Sequence, residues 1–237
     1  MRTQTNQNHS GLITGILMRF GAIAISFFLQ GFILFLSAGR IDWIWAWVFL
    51  GIGFLCVCIN GTIMLRTNPE TIAERGRPRE MKKWDKLIGG FWGFGLYLVL
   101  PLVAGLDIRF RWTQGFDAGW NIAGAVAYAA GLALFGWAMI TNTFFSTAAR
   151  IQSDRGQTVC QSGPYRFLRH PGYTGAILQS LATPILLGSL WALLPGVASA
   201  GLMVARTIFE DRMLQAELSG YNEYARLVRY RLLPGVW

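Results

Sequence analysis

A chain of 237 residues that is 53% hydrophobic and only 14% charged lies far below the roughly 25% charge of soluble domains, which excludes an ordinary water-soluble fold. The formal net charge of +9 makes nucleic acid a candidate partner, but the basic residues sit between long apolar runs, where membrane topology accounts for them. Three cysteines, two of them inside one apolar run, exclude a disulfide framework, and no cluster of ligand residues points to a metal.

Taken in chain order, Met1 to Ser10 is a polar tail containing His9, expected to be disordered. No Asp, Glu, Lys or Arg occurs between Arg19 and Arg40, Asp42 and Arg66, Lys86 and Asp107, or Asp117 and Arg150. A bilayer core of about 30 Å needs roughly 20 apolar helical residues, so residues 11–141 are predicted to form four transmembrane helices. The first is too long for a signal peptide's apolar region of about 7–15 residues, and a second follows at once. The fifth uncharged run, Pro171 to Ala205, is too long for one straight span. Pro184, Gly188-Ser189 and Pro195-Gly196 interrupt it, because proline removes a backbone donor and clashes with the preceding turn. The sequence therefore predicts a helical hairpin, 172–187 and 190–214. The fold class is an all-α integral membrane protein of one domain, with four transmembrane helices plus this C-terminal hairpin.

Charge predicts the orientation. Arg66 to Lys86 holds seven basic residues, Arg150 to Arg169 four and Arg206 to Arg231 five; with Arg2 and Arg19 the total is 18, against Arg40, Arg109 and Arg111 in the opposite loops. The positive-inside rule then puts both termini in the cytoplasm, and only a hairpin at 172–214 returns the C-terminal arginines to that side. A multi-pass protein of a bacterial inner membrane is expected, with membrane lipids as neighbours and no nucleic acid or metal partner.

Reactive side chains are few and concentrate at 142–173 and 206–231. Folding the hairpin back sets the stretch GPYRFLRHPGYTG, Gly163 to Gly175, beside Arg206-Thr207-Ile208-Phe209-Glu210-Asp211. Ionisable groups at a membrane boundary are costly unless paired, so their gathering marks a candidate site. Arg206 and Glu210 are four residues apart on one helix, share a face and are expected to pair. Blander readings accompany each feature. His170-Pro171 alone reads as a helix start. Tyr165, Tyr173, Tyr221 and Tyr224 suit an interfacial aromatic belt. Arg166, Arg226, Arg229 and Arg231 suit lipid headgroups or topology.

The GPYRFLRHPGYTG stretch, the acidic pair Glu210-Asp211, and then Leu214, Tyr221, Tyr224 and Pro234 resemble the isoprenylcysteine carboxyl methyltransferase family and, more loosely, membrane phospholipid methyltransferases. The resemblance covers about residues 142–237, and Asn68-Pro69, Arg75 and Trp84-Asp85 look like bacterial members. It implies an S-adenosylmethionine-dependent methyltransferase acting on a lipophilic acceptor, with 142–237 as a cytoplasmic cofactor-binding and catalytic region. Gly163, Tyr165, Arg169, His170, Pro171 and Tyr173 would form the cofactor cleft, with backbone from Val159 to Gly163 near the adenosine. Glu210 would hold the cofactor's amino-acid end or align the acceptor. Arg206, Asn142 and Arg150 would contact substrate, and Arg206 and Glu210 are the expected catalytic pair. Asp211 stands where the family pattern has a second Glu, and its shorter reach leaves its role open. The acceptor is a carboxylate of a prenylated or isoprenoid-like molecule, needing no base, or a lipid amine, for which Glu210 or His170 is a candidate base. This reading requires an adenosyl-sized cavity between the two patches.

Two other functions compete. Some membrane sterol and steroid reductases using NADPH carry a similar Arg-His-Pro-x-Tyr stretch, but resemble this chain less after the hairpin. A transporter or scaffold would show broken spans with paired polar groups or two matching halves, and the sequence has no internal repeat and no acid within a span.

Overall fold

The computed structural model describes residues 2–77 and 81–237, with side chains from Gly11 onward. It is 75% helical and the described residues contain no strand. Five helices are long and apolar enough to cross a membrane, and they grow out of the charge-free runs. They comprise α1 (Arg2–Ala38, apolar from Gly11) and α2 (Ile44–Thr67). The third, Lys83–Phe110, is built from α4 (Lys83–Phe94), a π-helical turn at Gly95–Val99 and α5 (Leu100–Phe110). The short α3 (Pro69–Gly76) precedes it. α6 (Ala118–Thr141) and α8 (Leu193–Glu217) complete the set, and the chain closes with α9 (Tyr221–Leu227). Backbone is helical from Arg2, where the sequence suggests a disordered tail over 1–10: no proline or glycine precedes Gly11 to break it. The side chains of those first residues, His9 included, lie outside the description.

The surface of these helices is apolar, as a lipid environment requires. Phe28 is 74% exposed and Ile25 68%, whereas Gln30 and Ser37 on the same helix are buried. A soluble fold would reverse that distribution.

α7 (Pro171–Leu187) and α8 run antiparallel. Ser180 and Pro184 sit against Gly196 near their connection, and His170 meets Asp211 at the far end. The second arm starts at Leu193, not 190, because Gly188 turns the chain with φ +74° and residues 189–192 complete the corner. Pro184 lies inside α7 without ending it; its ring falls in the last turn. α7 packs on α6 through glycine. A Cβ at Gly124 would lie 2.3 Å from Leu186 N, and one at Gly175 2.6 Å from Gly131 O, so backbone meets backbone as in small-residue membrane packing.

Each end of the bundle is tied by a different device. At one end, Asp107 accepts from Thr113 N at 2.7 Å, from Thr113 Oγ1 at 2.7 Å and from Ser189 Oγ, fastening α5 to the α7–α8 corner. At the other, ion pairs join segments distant in sequence: Arg150–Glu74 at 2.8 Å, Arg206–Asp85 at 2.8 Å and Lys82–Glu217 at 2.8 Å. Those pairs gather the 67–86 segment, the 142–170 connection and the C-terminal residues at one face.

Candidate active site

The site is assembled on short irregular segments whose geometry the sequence dictates locally. Asn142 ends α6, and its side chain accepts from Phe144 N at 2.9 Å, turning the chain out of the helix. Gly163 opens a 3₁₀ turn, Gly163–Arg166, with φ +54°, and a Cβ there would meet Thr141 Oγ1 at 2.7 Å. Pro171 starts α7 at a position where its missing N–H costs nothing. The two residues before it are held by the C-terminal segment. Arg169 N donates to Tyr230 O at 2.9 Å, His170 N to Arg231 O at 3.0 Å, and Thr174 Oγ1 to Leu232 O at 2.8 Å.

Asp211 is the centre of the polar cluster. It is fully buried and makes close contacts from five side chains. Tyr221 OH donates to Oδ1 at 2.9 Å, and His170 Nε2 and Arg169 Nη1 approach the same oxygen at 3.2 and 3.4 Å. Arg231 Nε and Gln215 Nε2 donate to Oδ2 at 2.8 and 2.7 Å. A buried carboxylate is tolerable only when paired and hydrogen-bonded, and here it is both. The short Asp side chain thus anchors the His-Pro stretch, α9 and the C-terminal segment to α8. Burial holds the phenols of Tyr165, Tyr221 and Tyr224 above their ordinary value, so they act as neutral donors. Tyr224 OH donates to Tyr165 O at 2.7 Å.

Glu210, one residue away, faces elsewhere. Its carboxylate accepts a short hydrogen bond from Tyr173 OH, and the Tyr173 ring lies parallel to His170, centroids 5.6 Å apart. The expected Arg206–Glu210 ion pair is not formed. Arg206 instead pairs with Asp85 of α4 at 2.8 Å and donates to Thr147 O at 2.8 Å, while its guanidinium lies 5.3 Å from the Tyr173 ring centroid. Asp85 wins because it is almost wholly buried, its other oxygen already held by Ala149 N at 2.7 Å, so a guanidinium offsets its desolvation. Glu210 has a phenol partner instead.

Two cavities meet at this point. The smaller, a polar cleft of about 90 Å³, is lined by Asn142, Arg150, Tyr165, Arg169, His170 and Glu210, with Val159 and Cys160 on the opposite wall. The larger, about 660 Å³, lies within the helical bundle and is lined mainly by apolar side chains of α1, α2, α4, α6 and α7, together with Arg206. Tyr173, Phe145 and Ser146 line both. Ligand pockets commonly measure roughly 300–1,000 Å³. The larger cavity is in that range, while the cleft is narrower than the adenosyl-sized space expected.

Of the residues predicted from sequence, the structure therefore brings Asn142, Tyr165, Arg169, His170, Tyr173 and Glu210 to one cleft. Gly163 and Pro171 line neither cavity and act through the backbone. Arg150 reaches the cleft but is committed to Glu74 and Asp154, at 2.8 and 2.7 Å. Tyr221 and Arg231, which suit a membrane interface or topology, are instead buried or half-buried partners of Asp211. Asp85, which the sequence marks only within the Trp84-Asp85 stretch that looks like bacterial members, is the ion-pair partner that sequence reasoning does not assign to Arg206.

Residues 125–217 match the model of the isoprenylcysteine carboxyl methyltransferase (ICMT) family. That stretch is an ICMT family domain. It holds α7, α8, the His-Pro stretch and both Glu210 and Asp211, so the resemblance read from GPYRFLRHPGYTG covers the cluster just described. The match supports an assignment to that family, and the five helices long and apolar enough to cross a membrane are in keeping with an integral membrane protein. No curated protein matches the sequence.

Proposed function

We propose that this protein transfers a methyl group from S-adenosylmethionine to a lipophilic acceptor held in the bundle cavity, at the cytoplasmic face of the membrane. The observation that carries the reading is the junction of a polar cleft and an apolar cavity at one residue, Tyr173, with Glu210 on its hydroxyl and Arg206 over its ring.

The donor set of the cleft suits the cofactor. Aromatic rings of Tyr165, Tyr173 and His170 offer faces to a sulfonium and an adenine, worth roughly 0.5–2 kcal/mol for a cation on a ring. Glu210 is placed to accept from an α-amino group, and Arg169 is positioned to approach a carboxylate. Glycine at 172 is needed where backbone passes the Phe145 ring, since a Cβ would lie 2.7 Å away. S-adenosylmethionine supplies an electrophilic methyl whose carbon–sulfur bond breaks with the electron pair going to sulfur. In-line displacement requires positioning above all, which supplies about 7–11 kcal/mol when reactants are held in a reactive geometry. Tyr173 separates the two compartments, fixed by Glu210 on one side and stacked on His170 on the other. A carboxylate acceptor would need no base; for an amine, Glu210 is the nearest carboxylate to the shared wall.

Cofactor binding tests the reading directly. S-adenosylhomocysteine at about 100 times its dissociation constant should stabilise the detergent-purified protein by about 2.7 kcal/mol, seen as a rise in Tm, and NADPH should not. Stabilisation by NADPH alone would replace this proposal with the reductase.

A further inference from the structure

The large cavity carries more positive charge than the Arg206–Asp85 pair explains. Arg19 of α1 and Arg75 of α3 also line it, and Asp85, already taken by Arg206, is the one acid in its lining among the described residues. Arg75 makes no ion pair or hydrogen bond among the described residues, and its Nε is buried without a partner. Its neighbours are the rings of Phe145 and Phe135, with centroids 5.0 and 5.9 Å from the guanidinium carbon. Trp92 Nε1, on the same cavity wall, is a second buried donor without an acceptor. Desolvation first, then repulsion by Arg19, pulls the Arg75 pKa down to about 9, which still leaves it cationic at neutral pH. A half-buried guanidinium whose Nε is shut from water with neither acceptor nor counter-ion carries a desolvation cost that a bound anion would offset.

We infer that Arg75, with Arg19 beside it, is the receptor for an anionic headgroup, carboxylate or phosphate, on the apolar molecule that fills the large cavity. This rests on the reading of that cavity as the acceptor site and selects between its two acceptor classes, since a cationic amine at this corner would face the guanidiniums of Arg75 and Arg19 while Asp85 is taken by Arg206. The planar guanidinium presents paired N–H groups that match either oxyanion. Phe145, whose ring centroid lies 5.0 Å from the Arg75 guanidinium carbon, lines both cavities, so a headgroup held there lies beside the wall shared with the polar cleft. Arg206, neutralised by Asp85, becomes a positioning residue for Tyr173 and leaves anion recognition to Arg75.

The test is equilibrium binding to the full-length protein in detergent, without cofactor, using farnesoic acid, farnesyl phosphate, farnesol and farnesylamine. The wild type should bind at least one of the anionic probes at least about tenfold more tightly than farnesol or farnesylamine, a charged hydrogen bond being worth roughly 1.5–3 kcal/mol. The tighter of the two anions identifies the headgroup. Arg75→Gln should lose that preference while farnesol binding stays within about twofold, Arg19→Gln should reduce it, and Arg75→Lys should restore part of it. A merely structural arginine would weaken all four probes together. Equal binding of neutral and anionic probes by the wild type, or a preference surviving in both glutamine variants, overturns the inference. Because no cofactor is present, failure of the methyltransferase reading would appear separately, as absence of stabilisation by S-adenosylhomocysteine.

Discussion

Asp211 is fully buried and Arg75 half-buried with its Nε shut from water, and the surroundings of the two charges differ completely. Asp211 has two arginines, an imidazole, a phenol and an amide converging on two oxygens. Arg75 has two aromatic rings and a buried Nε with nothing to donate to. A completed network rigidifies its members, and here it leaves the Asp211 carboxylate itself no open position for a ligand. An incomplete one that opens on a cavity has a place for one. The contrast assigns Asp211 to architecture and the Arg75 corner to recognition, with Glu210 and Tyr173 between them.

Several substitutions would break or sharpen that division. Asp211→Asn should have the largest effect, because it strands Arg169, His170 and Arg231 without their counter-ion. A loss of about 3–5 kcal/mol in stability is expected, read by thermal unfolding in detergent; a variant as stable as the wild type would deny Asp211 its structural role. Glu210→Gln should leave Tm nearly unchanged yet lower methyl transfer about 10²-fold, the scale of a misplaced reacting group, and unaltered turnover would remove Glu210 from the site. Tyr221→Phe should be mildest, costing about 1 kcal/mol for one lost hydrogen bond, with Asp211 still held by its cations. If Tyr221→Phe instead abolished turnover at unchanged Tm, the phenol would belong to the chemistry and the line between the two regions would have to move.

Much of the fold was legible because lipid imposes a rule that acts residue by residue: long runs without charge must be helices. α1, α2, α6 and the third span all follow from it. So does the return of α8 along α7, since Pro184 and Gly188-Ser189 cannot lie in one unbroken 35-residue span. The π-turn at Gly95–Val99 was not legible, nor was the close approach of α8 there, where Ser199 Oγ would sit 2.8 Å from a Cβ at Gly95. The cleft residues were found because they cluster in sequence from Gly163 to Tyr173. Their partners were misjudged because spacing along α8 suggested Arg206 and Glu210 would pair, and spacing cannot see Asp85, which approaches from α4.

The sequence by itself determined that this chain is helical and membrane-bound, with its reactive groups near its C-terminal end, because hydropathy and local motif are properties of neighbouring residues. Which charge meets which was decided only by the tertiary structure. Asp85 and Arg206 are separated by about half of the chain and Glu74 and Arg150 by about a third of it, and the strength of each pair depends on burial that no single segment creates. The same physics left Arg75 without a partner, a vacancy visible only once the helices around it were in place.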